Sequence, residues 1–265
     1  MLDDTAEEGV RLARAAHDAA LPLRLFGGVA IWYRCSSARE RGLRRTYADI
    51  DFVTVGRSTR AVSRFLESQG YEPDRLFNSL HSASRMTFKH PVHRRPIDVI
   101  VDQFQMCHTI DLREGFRRHP ASHPQAGEGN ERAEQGEDLT VPLTDLLLMK
   151  LQVVQLNDKD VRDALAILAD HPVDQDGPDV IDVGRIRELT SNDWGFEHTI
   201  RKTLDHLRGA VINYGLSEAA VATLSGRIDA LVAALDSAPK SLRWKLRAQV
   251  GERVRWYELP EEAHR

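Results

Sequence analysis

Tyr47-Ala48-Asp49-Ile50-Asp51-Phe52-Val53-Thr54-Val55 is the stretch on which the reading of this chain turns. Its apolar and β-branched residues predict a strand over 49–55, and in a strand residues i and i+2 point to the same face. Asp49 and Asp51 therefore share one side of a mostly buried element. Two carboxylates so placed repel each other and lose hydration, which calls for positive charge nearby, and a divalent cation held by oxygen ligands is the usual partner. The alternative is an exposed strand end with two solvated acids.

Before this strand, Leu23–Phe26 reads as a short strand closed by Gly27-Gly28. Val29–Cys35 reads as a helix, and Arg34, Arg39, Arg41, Arg44 and Arg45 crowd the loop that follows. Glycines between a strand and a helix let backbone approach a phosphate, and the helix N-terminus offers unpaired N–H groups; a plain tight turn is the other reading. Upstream, residues 3–20 have the spacing of an amphipathic helix. Downstream, Ser58 or Thr59 can cap a helix that runs to Gln69 and stops at Gly70. Ser84–Lys89 and Ile97–Val101 read as strands joined by a turn over Pro91–Pro96. The second of these carries Asp98 in Arg95-Pro96-Ile97-Asp98-Val99-Ile100-Val101-Asp102. Asp98 is the natural third carboxylate if its strand lies beside that of Asp49, and Asp102 ranks second.

Residues 119–138 are rich in Pro, Gly, Glu, Gln and Asn and read as a loop. Leu139–Pro142 reads as a last edge strand, and Thr144 or Asp145 caps the helix with which the pattern turns helical. A first helix carries Lys150 on an apolar face. A second covers Lys159–Asp170, with Asp160 and Asp163 on one face, and others cover 201–207, 217–235 and 241–254. Lys150 near a triphosphate would offset its charge; a lysine snorkelling from an apolar face is the alternative. The chain divides at this point into an α/β part, 1–142, and a helical part, 143–265.

Composition bounds the class. With 42% hydrophobic and 29% charged residues the chain has the balance of a globular protein, and its net charge of −4 gives no global field for nucleic acid. No apolar run approaches membrane-spanning length, and the start lacks a signal-peptide core, so a cytoplasmic protein is expected. Two distant cysteines, Cys35 and Cys107, fit a reducing compartment, with Cys107 a buried structural residue. The histidines lack zinc-ligand spacing. Trp194, Phe196 and Trp244 read as core anchors of the helical part.

Gly27-Gly28-Val29-Ala30, Asp49-Ile50-Asp51 and Asp98, in that order, resemble the nucleotidyltransferases of the DNA polymerase beta superfamily. Pro142–Gln152 with Lys159-Asp160-Val161-Arg162-Asp163 looks like the branch that holds the abortive-infection type nucleotidyltransferase toxins. The resemblance covers roughly residues 20–170 and implies an α/β nucleotidyltransferase-fold mixed sheet with flanking helices, followed by a helical lobe. It implies Mg²⁺-dependent transfer of a nucleoside monophosphate from an NTP to an acceptor hydroxyl, on tRNA, a protein or a small molecule, with two Mg²⁺ ions. Gly27 and Gly28 match the phosphate-holding turn, Asp49 and Asp51 the metal pair, and Asp98 the third carboxylate. Lys150 matches the helical lysine that meets the nucleotide phosphates, and Asp160 the acidic member of the Lys-Asp motif. The chain departs from the pattern in having Gly-Gly where many members have Gly-Ser, and in the longer, arginine-rich gap before Asp49. The alternatives are a non-catalytic nucleotide-binding protein, a partner in a toxin–antitoxin-like pair, and a phosphotransferase on the same scaffold.

Overall fold

The computed structural model describes residues 2–118, 138–175 and 179–259. The segment read as a loop, 119–138, lies outside them except for Asp138. The fold is mixed α/β, and the chain forms two compact units. The first comprises Met1–Arg34, Thr46–Phe104 and Ile110–Pro142. The second comprises Cys35–Arg45, Gln105–Thr109 and Leu143–Arg265.

In the first unit, α1 (Thr5–Asp18) is capped by Asp4, whose carboxylate accepts from the N–H groups of Ala6 and Glu7. Then come β1 (Leu23–Phe26), α2 (Gly27–Arg34), β2 (Ile50–Thr54), α3 (Thr59–Ser68), β3 (Glu72–Pro73), α4 (Arg75–His81), β4 (Arg85–Lys89) and β5 (Pro96–Val101). Their strands form one sheet in the order β1-β2-β5-β4-β3. β2 and β5 run parallel, and the other neighbours are antiparallel. One face is apolar except for Thr54: Leu23, Leu25, Ile50, Phe52, Met86, Phe88, Ile97, Val99 and Val101 are all buried. Helix α1 lies tightly against it at Gly9, where a Cβ would come within 2.8 Å of Val29 and 3.3 Å of Ile50.

The turn between β4 and β5 is closed by the His90 N–H donating to the Arg95 carbonyl at 3.0 Å. Leu139–Val141 joins β1 through a single parallel bridge at Leu25–Thr140, shorter than the edge strand expected there. Two elements beside the sheet are among those not legible in the sequence. Helix α4 is too short to show a period, and β3 is only two residues long. Two further strands, β6 (Gln103–Gln105) and β7 (Thr109–Asp111), pair with each other and precede α5 (Arg113–Arg118).

The second unit is built on α6 (Leu143–Leu151), every residue of which is buried. α7 (Asp158–Asp170) follows, with Asn157 as its N-cap. Next are β8 (Val173–Asp174), β9 (Ile181–Asp182), α8 (Val183–Thr190), α9 (Trp194–Ala210), α10 (Glu218–Ser237) and α11 (Leu242–Val250). The parallel β8–β9 pair departs from the all-helical expectation, and at two residues per strand it leaves no periodic signal. Cys35 and Cys107 are both buried. Phe196 is a core residue. Trp244 is half-buried, its indole N–H donating to the buried Glu197 at 2.9 Å. No helix among the described residues is long and apolar enough to cross a membrane.

Segment Cys35–Arg45, read from the sequence as an arginine-rich loop, is held on α7. Asp170 accepts from the Ser37 backbone N–H at 3.0 Å and from the Ser36 hydroxyl at 3.1 Å. Arg162 donates to the Gly42 carbonyl at 2.7 Å. Gly42 must lack a side chain, because a Cβ there would stand 2.4 Å from the Tyr214 carbonyl oxygen.

Candidate active site

The less buried face of the sheet carries the acids. Phe26, Asp51, Asp98 and Thr87 are successive Cα partners across β1, β2, β5 and β4, a single transverse row. Asp51 and Asp98 are thus direct neighbours on parallel strands, spaced about 4.8 Å as adjacent strands are. Asp49 sits two positions before Asp51, just ahead of β2.

Chain reversal at the end of β1 sets the turn beside them. Gly27 has φ +68°, a conformation that L side chains rarely adopt. A Cβ on it would meet the Asp51 Oδ2 at 2.2 Å, so the Asp51 carboxylate lies against the bare backbone of the turn. Helix α2 opens at once, which places its N-terminus, with its unpaired N–H groups and positive dipole end, at the same edge.

Asp98 has a partner that the sequence did not disclose. Arg85 Nη2 donates to Asp98 Oδ2 at 2.7 Å and Nε to Oδ1 at 3.3 Å, a fork that covers both carboxylate oxygens. Arg85 stands on β4 two residues from Thr87, the partner of Asp98, so its side chain reaches diagonally across the pair. Its guanidinium carbon also lies 6.0 Å from the centre of the Phe77 ring on α4. Among the described residues no three His, Cys, Asp or Glu side chains stand together as a ready metal site. The strands are adjacent as expected, but the three carboxylates do not converge, because Asp98 is turned to Arg85. The set still fits Mg²⁺ in donor chemistry: three hard carboxylates, two of them on residues in register. Asp102 does not belong to it. It follows the far end of β5 and accepts from the Gly56 N–H at 3.1 Å.

Arg24 shares this face and was likewise missed. It is buried, donates to the Gly115 carbonyl at 2.9 Å, and lies 4.7 Å from the Phe116 ring centre. Burial pulls its pKa down to about 10, against a smaller opposing effect of Asp138. The alternation Arg24–Phe26 placed it on the acid face, but nothing in the sequence announced the α5 residues that cover it.

Lys150 and Asp160 lie in the second unit, within a buried network of four charges. Lys150 Nζ donates to Asp160 Oδ1 and pairs with Asp163 Oδ2, each at 2.9 Å. Arg45 grips Asp163 through Nε and Nη2, both at 2.7 Å. Burial works against the Lys150 ammonium, yet Asp163 and Asp160 together outweigh it and raise its pKa. Burial likewise works against the Asp163 carboxylate, and Lys150 with Arg45 outweighs that and lowers its pKa. The ammonium that the resemblance assigns to nucleotide phosphates is here neutralised by two carboxylates. It is neither free nor snorkelling.

No protein-family model and no curated protein matches the chain. Among solved structures it is similar to the lincosamide antibiotic adenylyltransferase LnuA in its lincomycin-bound crystal structure. The identity is 14% over 51% of this chain and 96% of that one, with a TM-score of 0.32.

Proposed function

We propose that this protein is a Mg²⁺-dependent nucleotidyltransferase that moves a nucleoside monophosphate from an NTP to an acceptor hydroxyl and releases pyrophosphate. The observation that carries the reading is the in-register pair Asp51–Asp98 beside the bare Gly27 turn. It sets a cation-binding edge next to a phosphate-binding one.

In this reading the backbone N–H groups at Gly27 and Gly28, together with the start of α2, hold the triphosphate. Asp49, Asp51 and Asp98 hold the two ions. Mg²⁺, when bound, neutralises charge that builds on the phosphate oxygens. Asp98 also orients the acceptor hydroxyl and takes its proton as the acceptor oxygen bonds to the α-phosphorus and the bond to pyrophosphate breaks. Most of the acceleration is positioning and charge stabilisation. Lys150 and Asp160 enter through the family pattern, and a phosphate role for Lys150 requires it to leave its carboxylate partners. The acceptor is a tRNA, a protein or a small molecule.

The non-catalytic alternative, a nucleotide-binding or antitoxin-paired protein, is favoured by one observation, the Arg85 fork on Asp98. Calorimetric titration with each of the four NTPs, with and without Mg²⁺, tests the reading on wild type and on Asp49→Ala/Asp51→Ala. Metal-dependent binding that the double variant loses supports it; binding that neither needs the metal nor falls in the double variant counts for a non-catalytic nucleotide-binding protein, and no binding of any NTP counts for a partner-binding one. Product mass then separates an added nucleotide from an added phosphate.

A further inference from the structure

We infer that Arg85 is the built-in counter-ion of the acidic row and competes with the divalent cation for Asp98, so that loading the site means exchanging a guanidinium for a metal. The inference rests on the metal-dependent reading above. The fork takes one lone pair on each oxygen of Asp98 and puts a positive charge against the carboxylate that an ion shared with Asp51 would use. The pair is not locked in the core: the Arg85 side chain is 38% exposed and that of Asp98 15%. Water and solutes can reach the guanidinium, and a half-exposed ion pair is cheap to open.

The surroundings define where the arm rests. Phe77 supplies a π-face near the guanidinium, and Phe77 belongs to a helix stitched to β4. Asn78 donates from Nδ2 to the Thr87 carbonyl at 3.0 Å and accepts the Thr87 N–H at 2.7 Å. These two bonds fill the place of a neighbouring strand beyond the short β3 and fix α4 against β4. The resting position of Arg85 is thus set by Asp98 on one side and a fixed aromatic ring on the other. Released from Asp98, the guanidinium can take phosphate as it does carboxylate, through two parallel N–H donors. Divalent ion and nucleotide would then bind cooperatively, the ion taking Asp98 and the phosphates taking Arg85.

The test is Mn²⁺ binding to the full chain without nucleotide, followed by electron paramagnetic resonance, for wild type, Arg85→Gln, Arg85→Lys and Arg85→Gln/Asp98→Asn. Competition predicts that Arg85→Gln binds Mn²⁺ roughly tenfold more tightly, about 1.4 kcal/mol by the usual conversion. Arg85→Lys, a point charge without the fork, should fall between the two, and the double variant should lose the gain. A loss of packing alone would not raise metal affinity, so the gain separates competition from a structural role. Equal affinity in wild type and Arg85→Gln overturns the inference and leaves the metal site standing. No Mn²⁺ binding in any variant overturns both.

Discussion

Removal of the Asp163 carboxylate should be the most damaging single change in the second unit. Asp163→Ala leaves Lys150 and Arg45, with side chains only 11% and 14% exposed, facing each other with Asp160 as the remaining acid. Two ion pairs vanish together, one of them the bidentate grip of Arg45. Breaking a buried pair by deleting one partner costs about 3–5 kcal/mol, because the surviving charge stays buried without compensation. At about 2–4 °C per kcal/mol for a chain of this size, the midpoint should fall by roughly 10 °C. Urea unfolding followed by far-UV circular dichroism gives the free energy, and calorimetry gives the midpoint. Arg45→Ala should cost less, since Lys150 still neutralises Asp163. A double-mutant cycle over Arg45 and Asp163 should return a coupling of about 1–3 kcal/mol. A loss below about 1 kcal/mol for Asp163→Ala would mean that water reaches the cluster and that the burial argument is wrong.

The same network sets an acid limb to stability. Asp163 titrates below its usual range when folded, so its contribution is complete above the unfolded value and fades as pH falls through the folded one. Lys150 titrates above its usual value, so its contribution is complete below that value and fades as pH climbs through the folded one. A melting-temperature profile should show a plateau between the two limbs, and Asp163→Asn should lower the plateau and flatten the acid limb. Gly27→Ala should cost about 1–2 kcal/mol from the left-handed φ alone and also push Asp51 aside; weakened NTP binding by titration calorimetry checks this, and unchanged binding would count against the turn. Asp49→Ala or Asp98→Ala should abolish nucleotide transfer while the far-UV spectrum stays native. Asp98→Ala should change stability by less than about 1 kcal/mol, because the pair with Arg85 is partly exposed. Full activity in either variant, measured by product mass, would sink the metal assignment.

What could be read in the sequence was local. β1 ends where Gly27 begins, α3 stops before Gly70 with its φ of +89°, and α10 and α11 start after serine caps, each a signal spoken by neighbouring residues. The Asp51–Asp98 register was guessable because both strands had to turn their apolar residues the same way. Arg85 was not, because its place diagonal to Asp98 depends on how β4 pairs with β5, which the composition of β4 does not encode. Nor was the Arg45–Asp163 grip, which joins residues 118 positions apart through a segment that the sequence showed only as an arginine-rich loop. Lys150 could be picked out as odd on an apolar helix, but not what would neutralise it.

Segments Cys35–Arg45 and Gln105–Thr109 count with the second unit although their neighbours in sequence build the first. The polypeptide therefore changes allegiance at 34/35, 45/46, 104/105, 109/110 and 142/143, and the two units are laced by covalent thread rather than strung end to end. A gene cut at 142/143 would produce no separable modules. The leading piece would expose Cys35, Ala38, Leu43 and Cys107, which are buried in the intact chain, and the trailing piece would lack Arg45 for Asp163. During synthesis, the early piece must carry those two stretches unfinished until the helices that receive them have emerged.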